Sequence, residues 1–236
     1  MRDRGSENRL SSVIASSAPL VTTVADMRTQ ALNILPRPAM AGEFVPADYF
    51  RRLERAELCR GGRPLEVDLG CGDGSFLLEM ARHYPERDFL GVERLLGRVR
   101  KVCRKATRLG RDNVRVLRLE SRYVTEWLLP DAAVSRLHLL FPDPWPKVRH
   151  HRRRLVQAEF LTAVSRVLAP AGEFLFMTDH EEYFKWAENK VAHCPGLVRL
   201  DWHDDSFFYP KTDFQELWES EGKRIWRLRC RRAIEE

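Results

Sequence analysis

The feature that most constrains this chain is a regular exchange of short apolar runs for amphipathic ones, with a glycine-rich turn after the first run. Strands are expected at Leu65–Leu69, Phe89–Val92, Val114–Leu119, Ser135–Phe141 and Glu173–Thr178, each rich in Val, Leu or Phe and bounded by Gly, Pro, Asp or Asn. Helices are expected between them. Over 95–109 the apolar positions Leu95, Val99, Val102, Cys103, Ala106 and Leu109 recur at three-to-four spacing. Over 155–168 the stripe is Val156, Phe160, Ala163, Val164 and Val167, closed by Pro170–Gly172. A third helix fits Ser75–Tyr84, and the stretch from 180 onward reads helix, strand, turn, helix, strand. Such alternation implies a mainly parallel sheet with helices on both faces. One α/β domain over 46–236 is the economical organisation, with the Ser/Ala/Thr-rich residues 1–45 read as a flexible N-terminal extension.

Strand Leu65–Leu69 runs directly into Gly70-Cys71-Gly72-Asp73-Gly74. Gly70, Gly72 and Gly74 suit a tight turn that a ligand must approach without a Cβ in the way. The spacing is GxGxG, not the GxGxxG of dinucleotide binders. Asp68 precedes the loop, Glu93 closes the second strand and Glu120 the third. Asp68 can face an ammonium group, Glu93 can accept from both ribose hydroxyls, and Glu120 can accept from an adenine amino group. Three acids on three successive strand ends suit a cofactor with a cationic amino-acid end and no pyrophosphate. S-adenosylmethionine fits that description.

The fourth strand ends in Phe141-Pro142-Asp143-Pro144-Trp145-Pro146-Lys147. Two prolines hold Asp143 on a stiff, extended corner at the carboxyl edge of the sheet, where α/β proteins bind ligands. Lys147, Arg149, Arg152, Arg153 and Arg154 follow at once, beside an aromatic Trp145, as a phosphate-gripping surface would require. The formal net charge of +6 is carried by 33 Arg and 7 Lys, and it is concentrated: 94–122 holds eleven cations against Asp112 and Glu120. Arginine pairs bidentately with phosphate, which points to a nucleic-acid partner.

No run of 18 apolar residues occurs, which excludes a membrane-spanning helix from this sequence. The cysteines at 59, 71, 103, 194 and 230 are odd in number and form no CxxC, and none has a His at ligand spacing. That argues for a reducing compartment, taken as the cytoplasm, and against a disulfide framework or a metal site.

On these residues the chain resembles the TrmB-type tRNA (guanine-N7-)-methyltransferases, over roughly 60–232. The most specific element is Pro142-Asp143-Pro144-Trp145-Pro146-Lys147-Val148-Arg149-His150 with Arg152-Arg153-Arg154. Gly91-Val92-Glu93, Thr178-Asp179 and Thr212-Asp213-Phe214-Gln215, with Gly222 and Ile225 downstream, support it. The resemblance implies a Rossmann-like class I methyltransferase fold with a mostly parallel seven-stranded sheet. It implies methylation of N7 of a guanine in the tRNA variable loop, position 46 in tRNA numbering. It also implies cofactor contacts from Asp68, Glu93, Glu120 and Asp143, and substrate contacts from Lys147, Asp179 and the segment Thr212, Asp213, Phe214 and Gln215. Asp143 and Asp179 are the expected catalytic pair, orienting the base and offsetting its positive charge; a Thr-Asp pair also suits the N-cap of the helix that follows, and the two roles can coexist. Arg149, Arg152, Arg153 and Arg154 are the expected phosphate contacts. The family usually has Glu at Asp68, often Asp or Asn at Glu120, and Glu at Gln215; the last departure bears on guanine recognition. A catalytically weak RNA-binding scaffold, or an N-methyltransferase acting on another RNA or DNA base, stays open at this stage, as does monomer or homodimer.

Overall fold

The computed structural model describes residues 39–203 and 207–233. It holds one eight-stranded sheet in the order β1-β4-β3-β2-β5-β6-β8-β7. The strands are β1 Glu43–Phe44, β2 Leu65–Leu69, β3 Asp88–Val92, β4 Val114–Leu117, β5 Val134–Leu140, β6 Leu168–Thr178, β7 Leu197–Leu200 and β8 Trp226–Arg232. All pairings are parallel from β1 to β6; β8 is antiparallel to both β6 and β7. The helices are α1 Arg55–Leu58, α2 Ser75–His83, α3 Leu96–Arg108, α4 Ser121–Tyr123 (continued by a π turn, Val124–Leu128), α5 Ala158–Val167, α6 Glu181–Ala192 and α7 Asp213–Ser220.

The parallel α/β expectation is borne out, with strands and helices close to their expected bounds. Two details differ. The sheet has eight strands, not seven, because the two-residue β1 adds to its edge beside Val116 and Leu117. Residues 43–44 therefore belong to the fold, although they fall within the expected extension; residues 1–38 lie outside the described residues. Pro170–Gly172 does not merely stop a helix: α5 ends at Val167, and β6 already pairs Leu168 with Val134 before an irregularity shifts its register. Among the described residues no helix is long and apolar enough to cross a membrane.

The chain runs outward from β2 to β3 and β4, then returns to lay β5 on the other side of β2. Crossovers leave in opposite directions there, so the carboxyl ends of β2 and β5 diverge and open a crevice, the usual place for ligands in such sheets. Beneath β2, β5 and β6 the core is apolar: Leu65, Val67, Leu137, Leu139, Phe174 and Phe176 pack on Phe160, Val164 and Tyr183 of α5 and α6. A second apolar cluster joins α2 and α3 to β3 and β4 through Leu77, Met80, Phe89, Val99, Val102 and Val116.

Candidate active site

A cavity of about 630 Å³ occupies the crevice. Asp68, Gly70, Cys71, Gly72 and Asp73 form one wall, Leu140, Phe141 and Asp143 a second, Gly97, Arg98 and Lys101 of α3 a third. Thr212, Asp213, Phe214 and Leu217 at the start of α7 close the fourth side. Four segments far apart in sequence thus meet at one sheet edge.

The glycine loop is built as its composition demands. Gly70, Gly72 and Gly74 all have positive φ. At Gly74 a Cβ would lie 2.7 Å from a methyl of Val102, so the loop seats α2 against α3 only without a side chain. Asp73 sits between them, its carboxylate 2.7 Å from Nζ of Lys101 and 3.3 Å from Nζ of Lys105. The hydrogen bond from Lys101, reinforced by Lys105, holds this carboxyl far below its ordinary value.

Asp68 is the opposite case. It is 3 % exposed and its carboxylate accepts no hydrogen bond among the described residues, yet it lines the cavity. Burial, with a smaller contribution from the neighbouring charge of Glu93, pushes its carboxyl up to about 7. A buried acid facing a cavity without a partner is a place prepared for a cationic ligand group.

Of the other two strand-end acids, Glu93 is buried; its Oε1 accepts from the Leu95 amide at 2.7 Å and its Oε2 lies 3.7 Å from Arg98. Glu120 is exposed, does not line the cavity, and caps α4 by accepting from the Tyr123 amide.

The Asp143 corner is stiff for a reason beyond its prolines. Phe141 and Trp145, on either side of it, have φ of 52° and 44°. Such left-handed backbone at bulky residues costs about 1–3 kcal/mol each and survives only where the surroundings impose it. Here the Phe141 amide is tied to the Met177 carbonyl at 2.8 Å, and Arg154 Nε donates to the Pro144 carbonyl at 2.8 Å. Asp143 itself remains exposed on the cavity wall.

Arg154 corrects the expectation placed on it. It is 0 % exposed, its Nη2 lies 3.1 Å from Glu182, and its guanidinium lies over the rings of Tyr183 and Trp186. A guanidinium so enclosed holds the corner to α6 and is not available to a phosphate. Lys147, Arg149, Arg152 and Arg153 are exposed, with Arg153 stacked 4.9 Å from the Trp145 ring. Asp179 is half-buried at the end of β6, beside the corner in the sheet but not on the cavity wall. The N-cap role open to it falls instead to His180, whose ring accepts from the Tyr183 amide.

On α7, Thr212 caps the helix by accepting from the Gln215 amide, and Asp213 accepts a 2.9 Å hydrogen bond from Ser75, bridging the cavity mouth. Phe214 is half-exposed on the wall. Gln215, in contrast, is 2 % exposed, donates to Glu219 and does not line the cavity. Its amide serves the helix, so the departure from Glu at this position falls outside the pocket.

Sequence reading missed Asp73, Phe76, Phe141, Arg98, Lys101 and Leu217 as cavity residues. It also missed the layer behind them. His138 Nε2 lies 2.9 Å from Glu66, and the Tyr209 hydroxyl lies 2.9 Å from His138 Nδ1. Arg87 and Arg136 also pair with Glu66. Burial alone raises the Glu66 carboxyl, but His138 and the two arginines outweigh it and leave it below its ordinary value. Burial holds His138 low and therefore neutral, Nε2–H donating to Glu66 and Nδ1 accepting from Tyr209.

Comparison with known proteins adds to this geometry. A family model described as "Putative methyltransferase" matches residues 62–228. A tRNA (guanine-N(7)-)-methyltransferase of Edwardsiella ictaluri is 35% identical over 190 residues, 80% of this chain and 77% of that protein. One from Nitrobacter hamburgensis is 33% identical over 212 residues, 85% and 78% of the two chains. Among solved structures, the 16S rRNA methyltransferase KamB aligns with a TM-score of 0.58 and 19% identity, over 83% of this chain and all of that one. The antibiotic-resistance methyltransferase Kmr aligns at 0.55 and 19%, over 78% and 95%. At such identities the structures speak for the fold alone.

Proposed function

The chain belongs to the tRNA (guanine-N7-)-methyltransferase family, and from that premise we propose that it methylates N7 of the variable-loop guanine, position 46 in tRNA numbering. It is an S-adenosylmethionine-dependent enzyme that acts on guanine N7 of tRNA. The observation that carries the site assignment is the pairing of an unpartnered buried acid, Asp68, with a strained acidic corner, Asp143, on walls of one cavity.

The cavity suits S-adenosylmethionine. Glycine backbone at 70 and 72 allows close approach, and Asp68 offers an uncompensated carboxyl to the ammonium end. Glu93 serves the ribose hydroxyls, whereas Glu120, off the cavity wall and committed to capping α4, is left without a cofactor role. Bound there, the cofactor supplies an electrophilic methyl group on a sulfonium.

Guanine N7 carries an in-plane lone pair and no proton, so the reaction needs no general base. The protein's work is alignment, which is proximity and orientation catalysis. The base becomes cationic as it is methylated, and Asp143 and Asp179 orient it and offset the developing charge. Phe214, Thr212 and Asp213 bound the base from the α7 side. Lys147, Arg149, Arg152 and Arg153 grip the backbone beside the corner. The setting is the cytoplasm.

The test is to incubate the enzyme with labelled S-adenosylmethionine and tRNA, digest one portion to nucleosides to identify the methylated base, and cleave the intact remainder reductively at 7-methylguanosine to map its position. Labelled 7-methylguanosine in the variable loop is the expected result. A different methylated base, or the same base elsewhere in the tRNA, overturns the proposal.

A further inference from the structure

Helix α3 carries six cations and not one carboxylate in thirteen residues, Leu96–Arg108. Its inner face, Val99, Val102, Cys103 and Ala106, is buried against the sheet. Its outer face repeats Arg100, Arg104 and Arg108 at four-residue intervals, all exposed. At about 1.5 Å per residue the stripe is roughly 12 Å long, room for two or three successive phosphates. It begins beside the cavity, because Arg98 and Lys101 of the same helix line the wall.

A charged helix face is most often solvated surface, balanced by acids nearby. Several surface arginines elsewhere in this protein follow that pattern: Arg51 pairs with Glu57, Arg82 with Glu79 and Arg199 with Glu188. Arg100, Arg104 and Arg108 pair with no carboxylate among the described residues. Local energetics also disfavour the arrangement. Like charges at i,i+4 repel, and the helix dipole opposes cations near the N-terminus while favouring only those of the last turn, here Lys105 and Arg108. Yet Arg98 stands in the first turn, which has no acidic residue, and the N-cap Leu95 has no side chain able to cap. Charge kept against local stability, next to a cavity, is the signature of a surface shaped for a polyanion.

We propose that the outer face of α3 is a second tRNA-docking surface, in which Arg100, Arg104 and Arg108 hold backbone phosphates on the flank of the cavity opposite Lys147–Arg153. The proposal rests on tRNA as substrate and not on which guanine is methylated. The two basic segments then straddle the entrance, so the strand carrying the target base is gripped on both sides of it. These arginines position the RNA and do not touch the reacting atoms.

The experiment measures tRNA affinity of the full chain against salt. The probe is unmodified tRNA, and the variants are Arg100→Gln/Arg104→Gln/Arg108→Gln, the single reversal Arg104→Glu, and Arg82→Gln as a surface control. Each lost phosphate contact lowers the slope of log Kd against log salt by about 0.7–0.9, so the triple variant drops by roughly two to three and binds on the order of tenfold more weakly. The KM for tRNA rises in step, S-adenosylmethionine affinity is retained, and the melting temperature holds or rises as repulsion is relieved. Arg82→Gln keeps the wild-type slope. An unchanged slope in both α3 variants, or a triple variant that weakens binding only by melting earlier, overturns the proposal. If the slope falls but the methyl group maps outside the variable loop, the docking surface stands and the assignment of position 46 fails.

Discussion

Over β2, β5 and β6 the two faces of the sheet are built on different principles, whereas over β3 and β4 both faces are apolar. Strand β2, Leu65-Glu66-Val67-Asp68-Leu69, is buried along its whole length, so burial alone does not separate them. Leu65, Val67 and Leu69 point into the apolar layer shared with α5 and α6. Glu66 and Asp68 point to the other face. There His138, itself held by Tyr209, joins Arg87 and Arg136 in satisfying Glu66, while Asp68 is left facing the cavity. Between Glu173 and β8 the ionic layer continues, with Arg229 2.6 Å from Glu173 and the Phe207 ring lying against both Arg136 and Arg229. One face supplies stability through dispersion and dehydration. The other holds charge in a dry setting, where it is electrostatically strong and costly to leave unpaired.

Removing the shared acid should break the contrast most severely. Glu66→Ala leaves His138 without a carboxylate and Arg87 and Arg136 with only Glu86 and Glu173, and should cost about 3–5 kcal/mol, read by urea unfolding. Phe176→Ala on the apolar face should cost a similar ~3–5 kcal/mol, through a cavity and without change in S-adenosylmethionine affinity of the folded fraction. A Glu66→Ala protein as stable as wild type would show that the ionic layer carries no structural weight.

Activity should separate from stability at the corner. Asp143→Ala should lower kcat by about 10²–10³-fold, some 3–4 kcal/mol of transition-state stabilisation, with unfolding unchanged. Near-normal turnover at saturating tRNA would remove Asp143 from the mechanism.

The arginine run offers a sharper version of the same comparison. Arg154→Ala should destabilise by about 2 kcal/mol, because the Pro144 carbonyl loses a charged donor. Arg152→Ala should stay within about 0.5 kcal/mol of wild type and instead weaken tRNA binding. Calorimetric melting beside a filter-binding assay reads both.

The smallest effect concerns Asp68. Its proton must leave before a cationic ligand group gains a full charge partner, so S-adenosylmethionine affinity should rise as pH passes upward through about 7. Between about pH 6 and 8 the gain should be on the order of tenfold, measured by calorimetry, and Asp68→Asn should flatten it. The sign for folding is opposite. The native state holds this proton above the pKa of the unfolded chain, so apo stability falls as pH rises from about 4 through 7.

Much of this was legible in the sequence because it is written locally. The strand–helix alternation, the glycine loop and the two prolines around Asp143 each depend on residues within a few positions of one another. What escaped notice depends on partners brought together from a distance. Glu66 and His138 are 72 residues apart, His138 and Tyr209 another 71. Arg152, Arg153 and Arg154 read as one run, yet a turn of short helix sends the last inward and leaves the others in solvent. Gln215 reads as a pocket residue within a motif, but helical phase turns it toward Glu219. Asp73 had a local signal, an acid between loop glycines, and still needed Lys101 and Lys105 to show what it does.

The sequence alone determined the class of the fold, the turn that admits a ligand, and the acidic corner with its cations, because backbone sterics and charge density act over short stretches. Only the tertiary structure decided which buried acids are satisfied and which face the cavity, and which cations are free. Those outcomes depend on burial and pairing across strands, and both are properties of the packed sheet.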